Sequence, residues 1–413
     1  MALYEEARHE ALTTTKWNEG AARAAIERIV TDTYQRFAGE KLWPPHPRDR
    51  PAQGSTDLFK NLISAEPYKM LYWGSAGVIW ALTYLGKVGA ITPKQDYLST
   101  VSELLERNRE DVRGVYPEVG SYLMGDVGIV LLHWKLAPSA ELAQQLYEGI
   151  AANCTHPARE FMWGAPGTML AALFMLEWTG EQRWKSLFLQ NCAQLWQEWK
   201  YADESQSYLW TQSLYGHSSK LIGAVHGFAG NVFPVIRGRH LLDPPQRDAW
   251  FMRIGETLEK TALREGDYVN WSQSVGVSRP GRTALLVQHC HGAPGMITCL
   301  ADLPDVPHWP VGELLERGGE LAWAVGPPVK GPSLCHGTAG TGYAFLKLYQ
   351  RTRNEQWLNR ARRFAMHAIE QSERMAQEYG QRRYSLWTGD LGLAIYLWDC
   401  IRGEGKFPTM DVF

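Results

Sequence analysis

The sequence lacks several features that would assign it to common classes of protein. It has no uninterrupted apolar run of about 18 residues, so we expect no membrane-spanning helix. The opening residues MALYEEARHE contain no apolar core, so we expect no secretory signal. Only 6 of the 413 residues are cysteine, which is too few for a disulfide scaffold and favours a cytoplasmic location.

An excess of charge of one sign and clear strand signals are also missing. The 42 Lys and Arg residues nearly balance the 44 Asp and Glu residues, and the net charge of −2 argues against a nucleic-acid partner. No Asn-Gly or Asp-Gly turn separates alternating apolar segments, so hairpins are not expected. The apolar share of 45% is that of a globular protein, and 39 glycines and 18 tryptophans are unusually many.

Many of the glycines lie in a repeated motif. Seven Gly-x-x-Gly units each open an apolar segment such as GVIWALTYLG. Because the segments are apolar nearly all round, they are predicted to form helices buried on every side. We call the Gly-x-x-Gly start of each such helix, together with the few residues directly before it, a head. In heads one to seven the motif begins at Gly74, Gly125, Gly164, Gly227, Gly292, Gly337 and Gly389.

Amphipathic stretches alternate with the apolar ones, which predicts an all-α fold. The economical arrangement is an (α/α) toroid of seven inner apolar and seven outer amphipathic helices, because closing the ring buries the end faces of an open array. Residues 1–413 are predicted to be one domain with an N-terminal helical extension before the repeats. The predicted outer helices are Asn18–Phe37, Asp96–Arg107, Ala140–Cys154, Gln182–Lys200, Gln246–Leu263, Val311–Val325 and Glu355–Met375.

The heads and one of two connecting segments leave a choice of interpretation. In a ring, the helix N-termini converge, and their N–H groups favour an anion or a polarised oxygen. Alternatively, the glycines only permit tight packing. Residues Leu42–Thr56 are predicted to be an exposed loop, and Gly266–Arg282 either lies over the mouth of a cavity or is an ordinary connection.

Heads four, five and six carry histidine, and two of them also carry cysteine. Cys-His-Gly occurs at residues 290–292 and 335–337, and His226 directly precedes the first glycine of head four. Two thiolates and an imidazole suit Zn²⁺, and three protein ligands leave a fourth position open, as in catalytic zinc sites. A lone cysteine is more often a small core residue, but the repetition at matched positions favours a metal site. Its predicted ligands are Cys290, Cys335 and His336.

These motifs resemble the LanC family, which includes bacterial lanthipeptide cyclases and eukaryotic LanC-like glutathione transferases. The resemblance rests on the seven heads, on Cys-His-Gly-Ala-Pro-Gly at residues 290–295 and on Cys-His-Gly-Thr-Ala-Gly at residues 335–340. It extends from about Leu71 to Cys400. It implies a toroid with zinc at the inner helix heads, held by the two cysteines and the histidine already singled out.

The resemblance also implies roles for residues near the zinc. His226 matches the family's histidine beside the metal, proposed as an acid/base, and Glu160 matches an acidic position near it. His291 matches a position that is His in the LanC-like branch. His289 stands where the family usually has Trp; a proton shuttle or a surface residue is favoured over an extra ligand.

Three basic residues are candidates for substrate binding. Lys330 matches a lysine that contacts glutathione in the LanC-like branch. Arg382 and Arg383 fall near a second glutathione-contacting segment, and two solvated arginines are an equally good interpretation. A cation helps to hold a glutathione carboxylate.

These features predict zinc-dependent activation of a thiol for conjugate addition to dehydroalanine or dehydrobutyrine in a peptide or protein. Lys330 and His291 favour glutathione or a similar thiol. Two alternatives stay open: a lanthipeptide cyclase using a substrate-peptide cysteine, and a non-catalytic zinc-stabilised scaffold that binds a peptide or glutathione. A glycoside-processing enzyme would need a carboxylate pair such as Glu160 and Asp126, and would leave the duplicated Cys-His-Gly unexplained.

Overall fold

Fourteen α-helices account for most of the described chain. The computed structural model describes residues 2–49, 67–112, 120–276 and 284–413. None of its helices is long and apolar enough to cross a membrane. In chain order the helices are α1 (Glu19–Arg36), α2 (Ser75–Lys87), α3 (Leu98–Val112), α4 (Asp126–Leu136), α5 (Ala140–Asn153), α6 (Ala165–Thr179), α7 (Gln182–Glu198), α8 (Phe228–Arg237), α9 (Pro244–Thr261), α10 (Ala293–Leu300), α11 (Val311–Val325), α12 (Thr338–Thr352), α13 (Glu355–Tyr379) and α14 (Asp390–Arg402).

The helices form a closed ring of two layers. Each even-numbered helix begins at a glycine head and contacts the next even-numbered helix, and α14 contacts α2. These inner helices are buried on nearly all sides, whereas the odd-numbered outer helices bury one face. Helix α1 packs against α14, so the N-terminal helix completes the outer layer beside the last inner helix. The predicted toroid of seven inner and seven outer helices is confirmed.

The second glycine of every head lies against backbone, which explains its repetition. A Cβ atom added there would lie 1.7 to 2.4 Å from the carbonyl oxygen three residues before the first glycine of the same head. It would also meet the preceding head, as at Gly340, where the Cβ of His289 would be 3.1 Å away. At Gly77 that neighbour is Leu386 of head seven, at 2.9 Å, so the same contact closes the ring. Tight packing therefore accounts for these glycines.

The close approach gives a first prediction. Gly340→Ala places a methyl group 1.7 Å from the carbonyl oxygen of Leu334, and we expect it to lower the free energy of unfolding by about 3 kcal/mol. Gly312 in α11 is a matched control, because the nearest atom to its added Cβ is 3.5 Å away. Gly312→Ala should be neutral or stabilising by up to about 1 kcal/mol. Denaturant unfolding measures both, and equal effects would contradict the packing account.

Within the described residues, three small antiparallel sheets were missed by the sequence analysis. β1 (Lys200–Ala202) pairs with β2 (Ser207–Leu209), and β5 (Ala262–Glu265) pairs with β6 (Tyr268–Trp271). A third sheet has the order β3-β4-β7, from β3 (Gln212–Leu214), β4 (His217–Leu221) and β7 (Ser274–Val275). The strands are too short to show a clear alternation. Two of the turns use glycine at positive φ, namely Gly216 (76°) and Gly266 (57°).

The described parts of the two segments Leu42–Thr56 and Gly266–Arg282 are more ordered than expected. The last residues of the predicted helix Gln246–Leu263 belong to β5, and β6 and β7 lie within Gly266–Arg282. Residues 277–283, including Arg282, lie outside the described residues. Leu42, Trp43 and His46 are buried, so the prediction of an exposed loop at Leu42–Thr56 is wrong for its beginning; its end lies outside the described residues.

The C-terminal segment lies inside the ring. Phe407, Met410 and Phe413 are all buried, and the Tyr122 hydroxyl donates a hydrogen bond to the Thr409 carbonyl oxygen at 2.6 Å. The Phe407 ring stacks on the imidazole of His289, with centroids 4.4 Å apart. The segment therefore supports the heads from within the ring.

Candidate metal centre

Hydrogen bonds between neighbouring heads bring their matched positions together. The residues involved stand two places before the first glycine of each head. Cys290 N–H donates to the Cys335 carbonyl at 3.1 Å, and Cys335 N–H donates to the Trp387 carbonyl at 2.9 Å. The series continues from Trp387 to Tyr72 at 3.1 Å and from Tyr72 to Leu123 at 3.0 Å. Side chains at this position therefore gather at one end of the ring.

Two cysteines and one histidine form a compact cluster at this end. The ligand atoms of Cys290, Cys335 and His336 all lie within 4.8 Å of one another. The sulfur of Cys335 is 3.6 Å from Nε2 of His336. Both cysteines are buried and the histidine is half-buried. This arrangement is a possible metal-binding triad, and its soft sulfur and borderline nitrogen donors fit Zn²⁺.

The two thiols influence each other strongly because they share a buried site. Burial raises the pKa of Cys290, but a hydrogen bond from Cys335 and the nearby His336 outweigh it and hold that pKa well below the ordinary value. Burial and the charge of Cys290 raise the pKa of Cys335 well above its usual range. The first thiolate therefore forms readily and opposes the second. A divalent cation between them would remove this repulsion.

Two buried residues that contact the sulfurs were missed by the sequence analysis. Nε2 of Gln288 donates to the sulfur of Cys290 at 2.9 Å. The Tyr72 hydroxyl hydrogen-bonds to Cys335, and burial together with the neighbouring sulfur raises the pKa of Tyr72 well above its usual value. The available signal was position, because Tyr72 occupies the same place in head one that the two cysteines occupy in heads five and six.

His226 and Glu160 form a tight pair. Nδ1 of His226 is 2.6 Å from Oε2 of Glu160, whose side chain has no exposed surface. The carboxylate also accepts backbone N–H groups from Trp163 at 2.6 Å and Met162 at 3.1 Å. Because the carboxylate accepts hydrogen bonds, Nδ1 of His226 carries a proton and Nε2 is left for another molecule. The side chain of His226 is 20% exposed, enough to be reached.

The three predicted histidines occupy the same position in consecutive heads. His226, His291 and His336 each directly precede the first glycine of heads four, five and six. The rings of His226 and His291 are stacked, with centroids 6.4 Å apart. Nε2 of His291 lies 3.2 Å from Nε2 of Gln273. The stacked pair His226 and His291 therefore lies beside His336, which occupies the matched position of the next head and belongs to the possible metal-binding triad.

Tyr215 contacts His226 and is a further residue of the site that the sequence analysis missed. It lies at the tip of the β3–β4 hairpin with a positive φ of 53°. Its hydroxyl oxygen accepts a hydrogen bond from the indole N–H of Trp163 at 2.8 Å. Its ring meets that of His226 edge to face, with centroids 6.3 Å apart. The small sheet thus forms one side of the site, although no motif in the sequence indicated it.

Only two of the three predicted basic residues come together. Lys330 and Arg383 line a small pocket beside head seven, together with His46, Arg48, Thr388 and Asp390. Arg383 pairs with Asp49 through Nε at 2.9 Å. Lys330 is exposed, and no ion pair to it occurs within the described ranges. Arg382 is buried and bonds to Glu373 at 2.9 Å, so it is neither solvated nor part of the pocket.

Two other expectations are settled by burial and by hydrogen bonds. His289 is fully buried, so the interpretation as a surface residue is wrong; burial lowers its pKa to about 3. It also lies outside the metal triad, and within the described part of the chain neither of its ring nitrogens has a hydrogen-bond partner. Asp126 is paired with Arg109 at 2.7 Å, while Glu160 is paired with His226. Because Glu160 and Asp126 each have a different partner, their contacts do not support a carboxylate pair of the kind that a glycoside-processing enzyme needs.

A helical toroid with a Cys-Cys-His cluster at its inner helix heads defines the class of protein. Residues 68–412 match the family model described as Lanthionine synthetase C-like protein, and the chain belongs to that family. The chain is 26% identical to glutathione S-transferase LANCL1 of Danio rerio over 382 residues, which is 86% of this chain and 88% of that protein. It is 35% identical to LanC-like protein GCL1 of Arabidopsis thaliana over 204 residues, 48% of this chain and 44% of that one.

A solved structure confirms the fold. Nisin cyclase superposes with a TM-score of 0.59 over 92% of this chain and 94% of its own, at 15% sequence identity. At that identity the likeness concerns the fold alone. The chain therefore has the fold of a LanC toroid.

Proposed function

We propose that the protein is a zinc-dependent enzyme that forms thioethers by adding glutathione, or a similar thiol, to dehydroalanine or dehydrobutyrine residues. One observation carries the proposal: the Cys290–Cys335–His336 triad and the His226–Glu160 pair lie on neighbouring heads at one end of the ring. The name of the Danio rerio relative, a glutathione S-transferase, supports glutathione as the thiol. We propose Cys290, Cys335 and His336 as the zinc ligands and a cytoplasmic location.

The chemistry requires a thiolate and a proton donor. Zn²⁺ in the triad would deprotonate a bound thiol at neutral pH and leave it nucleophilic. In the addition, the sulfur forms a bond to the β-carbon of the dehydroamino acid, and the double-bond electrons move toward the carbonyl group as an enolate. The enolate must then gain one proton at the α-carbon. The product is a thioether, and no oxidant or reductant is consumed.

We propose His226 as the donor of this proton. Because Nδ1 is bound to Glu160, Nε2 is the nitrogen that can hold and release a proton toward the site. The buried carboxylate of Glu160 orients the ring through its contact with Nδ1. His291 stacks beside it and is the second candidate donor.

The experiment that tests the proposal combines zinc-loaded protein, glutathione and a dehydroalanine peptide. Mass spectrometry should show a peptide heavier by one glutathione, with no addition when the metal is removed. A peptide that carries both dehydroalanine and cysteine tests the cyclase alternative, because cyclisation leaves its mass unchanged but removes its free thiol. Bound zinc without addition of either thiol would contradict the proposal and favour a scaffold.

The exposed cation at the pocket predicts a preference for anionic thiols. Lys330→Ala should raise the KM for glutathione about fivefold, since an exposed ion pair contributes about 1 kcal/mol or less. The KM for cysteamine, which has no carboxylate, should not change. Lys260→Ala, an exposed lysine on α9, is the control. Steady-state kinetics with both thiols measures the difference, and equal effects on both would contradict carboxylate binding by Lys330.

A further inference from the structure

The backbone immediately before Glu160 has an unusual conformation. Arg159 has a φ of +44°, in the left-handed region that non-glycine residues seldom occupy. This turn directs the next side chain, the Glu160 carboxylate, toward the N–H groups of Met162 and Trp163 and toward His226. A conformation of this kind persists only where surrounding contacts hold it.

Two buried amide side chains hold the turn. The Arg159 carbonyl oxygen accepts a hydrogen bond from Nδ2 of Asn231 at 2.9 Å and another from Nε2 of Gln212 at 3.3 Å. Neither amide side chain is exposed. Because a carbonyl oxygen can only accept, the nitrogen of each amide must face it. Loss of the shorter bond would leave that oxygen with the longer one as its remaining hydrogen bond from the described residues.

Asn231 also belongs to the helix that follows His226. It lies in the first turn of α8, and its backbone N–H donates to the Gly227 carbonyl at 3.0 Å. Its side chain thus connects the helix after His226 with the turn before Glu160, which belong to different heads. Gln212 has a second partner, since its Oε1 accepts the Leu221 N–H at 2.8 Å and ties together the β3–β4 hairpin.

We infer that Asn231 is a positioning residue that holds the Glu160 carboxylate against Nδ1 of His226. It thereby keeps His226 in the tautomer whose Nε2 faces the site. The catalytic consequence rests on the proposed function, in which Nε2 handles the proton. The positioning itself is a property of the folded chain and is measurable without any substrate.

The test compares Asn231→Leu, which removes the amide at similar size, with Asn191→Leu. Asn191 is also fully buried and donates to a backbone carbonyl, that of Leu187 at 2.8 Å, but it lies on outer helix α7. Nitrogen NMR of labelled histidine reports the His226 tautomer. Of the two variants, we expect only Asn231→Leu to lose the preference of His226 for a protonated Nδ1. The same variant should lower kcat about tenfold and shift the pH dependence of kcat. The KM for the thiol and the absorption spectrum of the cobalt-substituted protein should not change.

The outcomes separate the inference from the proposed function. If His226 keeps its tautomer and kcat in Asn231→Leu, or if Asn191→Leu has the same effect, the positioning role is overturned. If the tautomer changes but the unaltered protein adds no thiol to dehydroalanine, the positioning stands and the proposed function fails. Should Asn231→Leu not fold, the smaller Asn231→Ser, whose hydroxyl is too short to reach the Arg159 carbonyl, decides on the same readouts.

Discussion

Replacing either Cys290 or Cys335 with alanine is expected to abolish tight metal binding and to lower the rate of thiol addition at least about a hundredfold. Replacing a residue that only supports a metal ligand already costs about 10- to 100-fold in metal affinity or activity, and here a ligand itself is removed. Two donors cannot replace three in a site whose fourth position is kept for substrate. Elemental analysis of the purified protein and the rate of glutathione addition measure the two effects.

Cys299 provides the control for this prediction. It is buried within α10, and burial raises its thiol pKa well above the ordinary value, but it lies outside the triad. Cys299→Ala should keep both metal and activity, with at most a loss of stability. Retention of stoichiometric zinc by both Cys290→Ala and Cys335→Ala would show that the zinc binds at another site.

His226→Asn is expected to lower kcat by about 10² to 10⁴, the range that a general acid contributes. Glu160→Gln should have a smaller effect, about tenfold, because the imidazole remains but loses the carboxylate that orients it. Metal content and the cobalt spectrum should be unchanged in both variants, since neither residue belongs to the triad. Single-turnover rates with saturating glutathione measure the chemical step.

His240→Asn serves as the matched control. His240 is exposed and follows α8 at the end of the ring opposite the heads, so its replacement should leave kcat unchanged. A normal single-turnover rate in His226→Asn would remove His226 from the chemistry and leave His291 as the donor. An equal loss in His240→Asn would indicate a general effect of histidine replacement.

The repeat explains how much of the fold was predictable. The second glycine of each head must approach a carbonyl oxygen of its own head and a side chain of the preceding head. The repeated Gly-x-x-Gly motif therefore marks the contacts between heads that form the ring. The clustering of Cys290, Cys335 and His336 was predictable for the same reason. Cys290 and Cys335 stand at one matched position, and hydrogen bonds between heads join that position from repeat to repeat.

The unpredicted features depend on contacts that no repeat records. Tyr72 reaches Cys335 only because the closed ring places head one beside the last heads. His289 is buried because Phe407 of the C-terminal segment stacks on it. Tyr215 reaches His226 through a hairpin whose strands are three and five residues long, too short for a clear periodicity. Arg382 is paired with Glu373 of α13, a contact that sequence order does not indicate.

We claim that the triad of Cys290, Cys335 and His336 holds a metal with one position open to a thiol, and the absorption spectrum after cobalt substitution checks this claim. The absorption spectrum of the cobalt protein reports the number of sulfur ligands and the coordination number. We expect bands typical of two thiolates in the absence of substrate, which shift and intensify as glutathione is added, because a third sulfur enters the site. A two-thiolate spectrum that ignores both glutathione and cysteine peptides would contradict the claim and identify a closed, structural site.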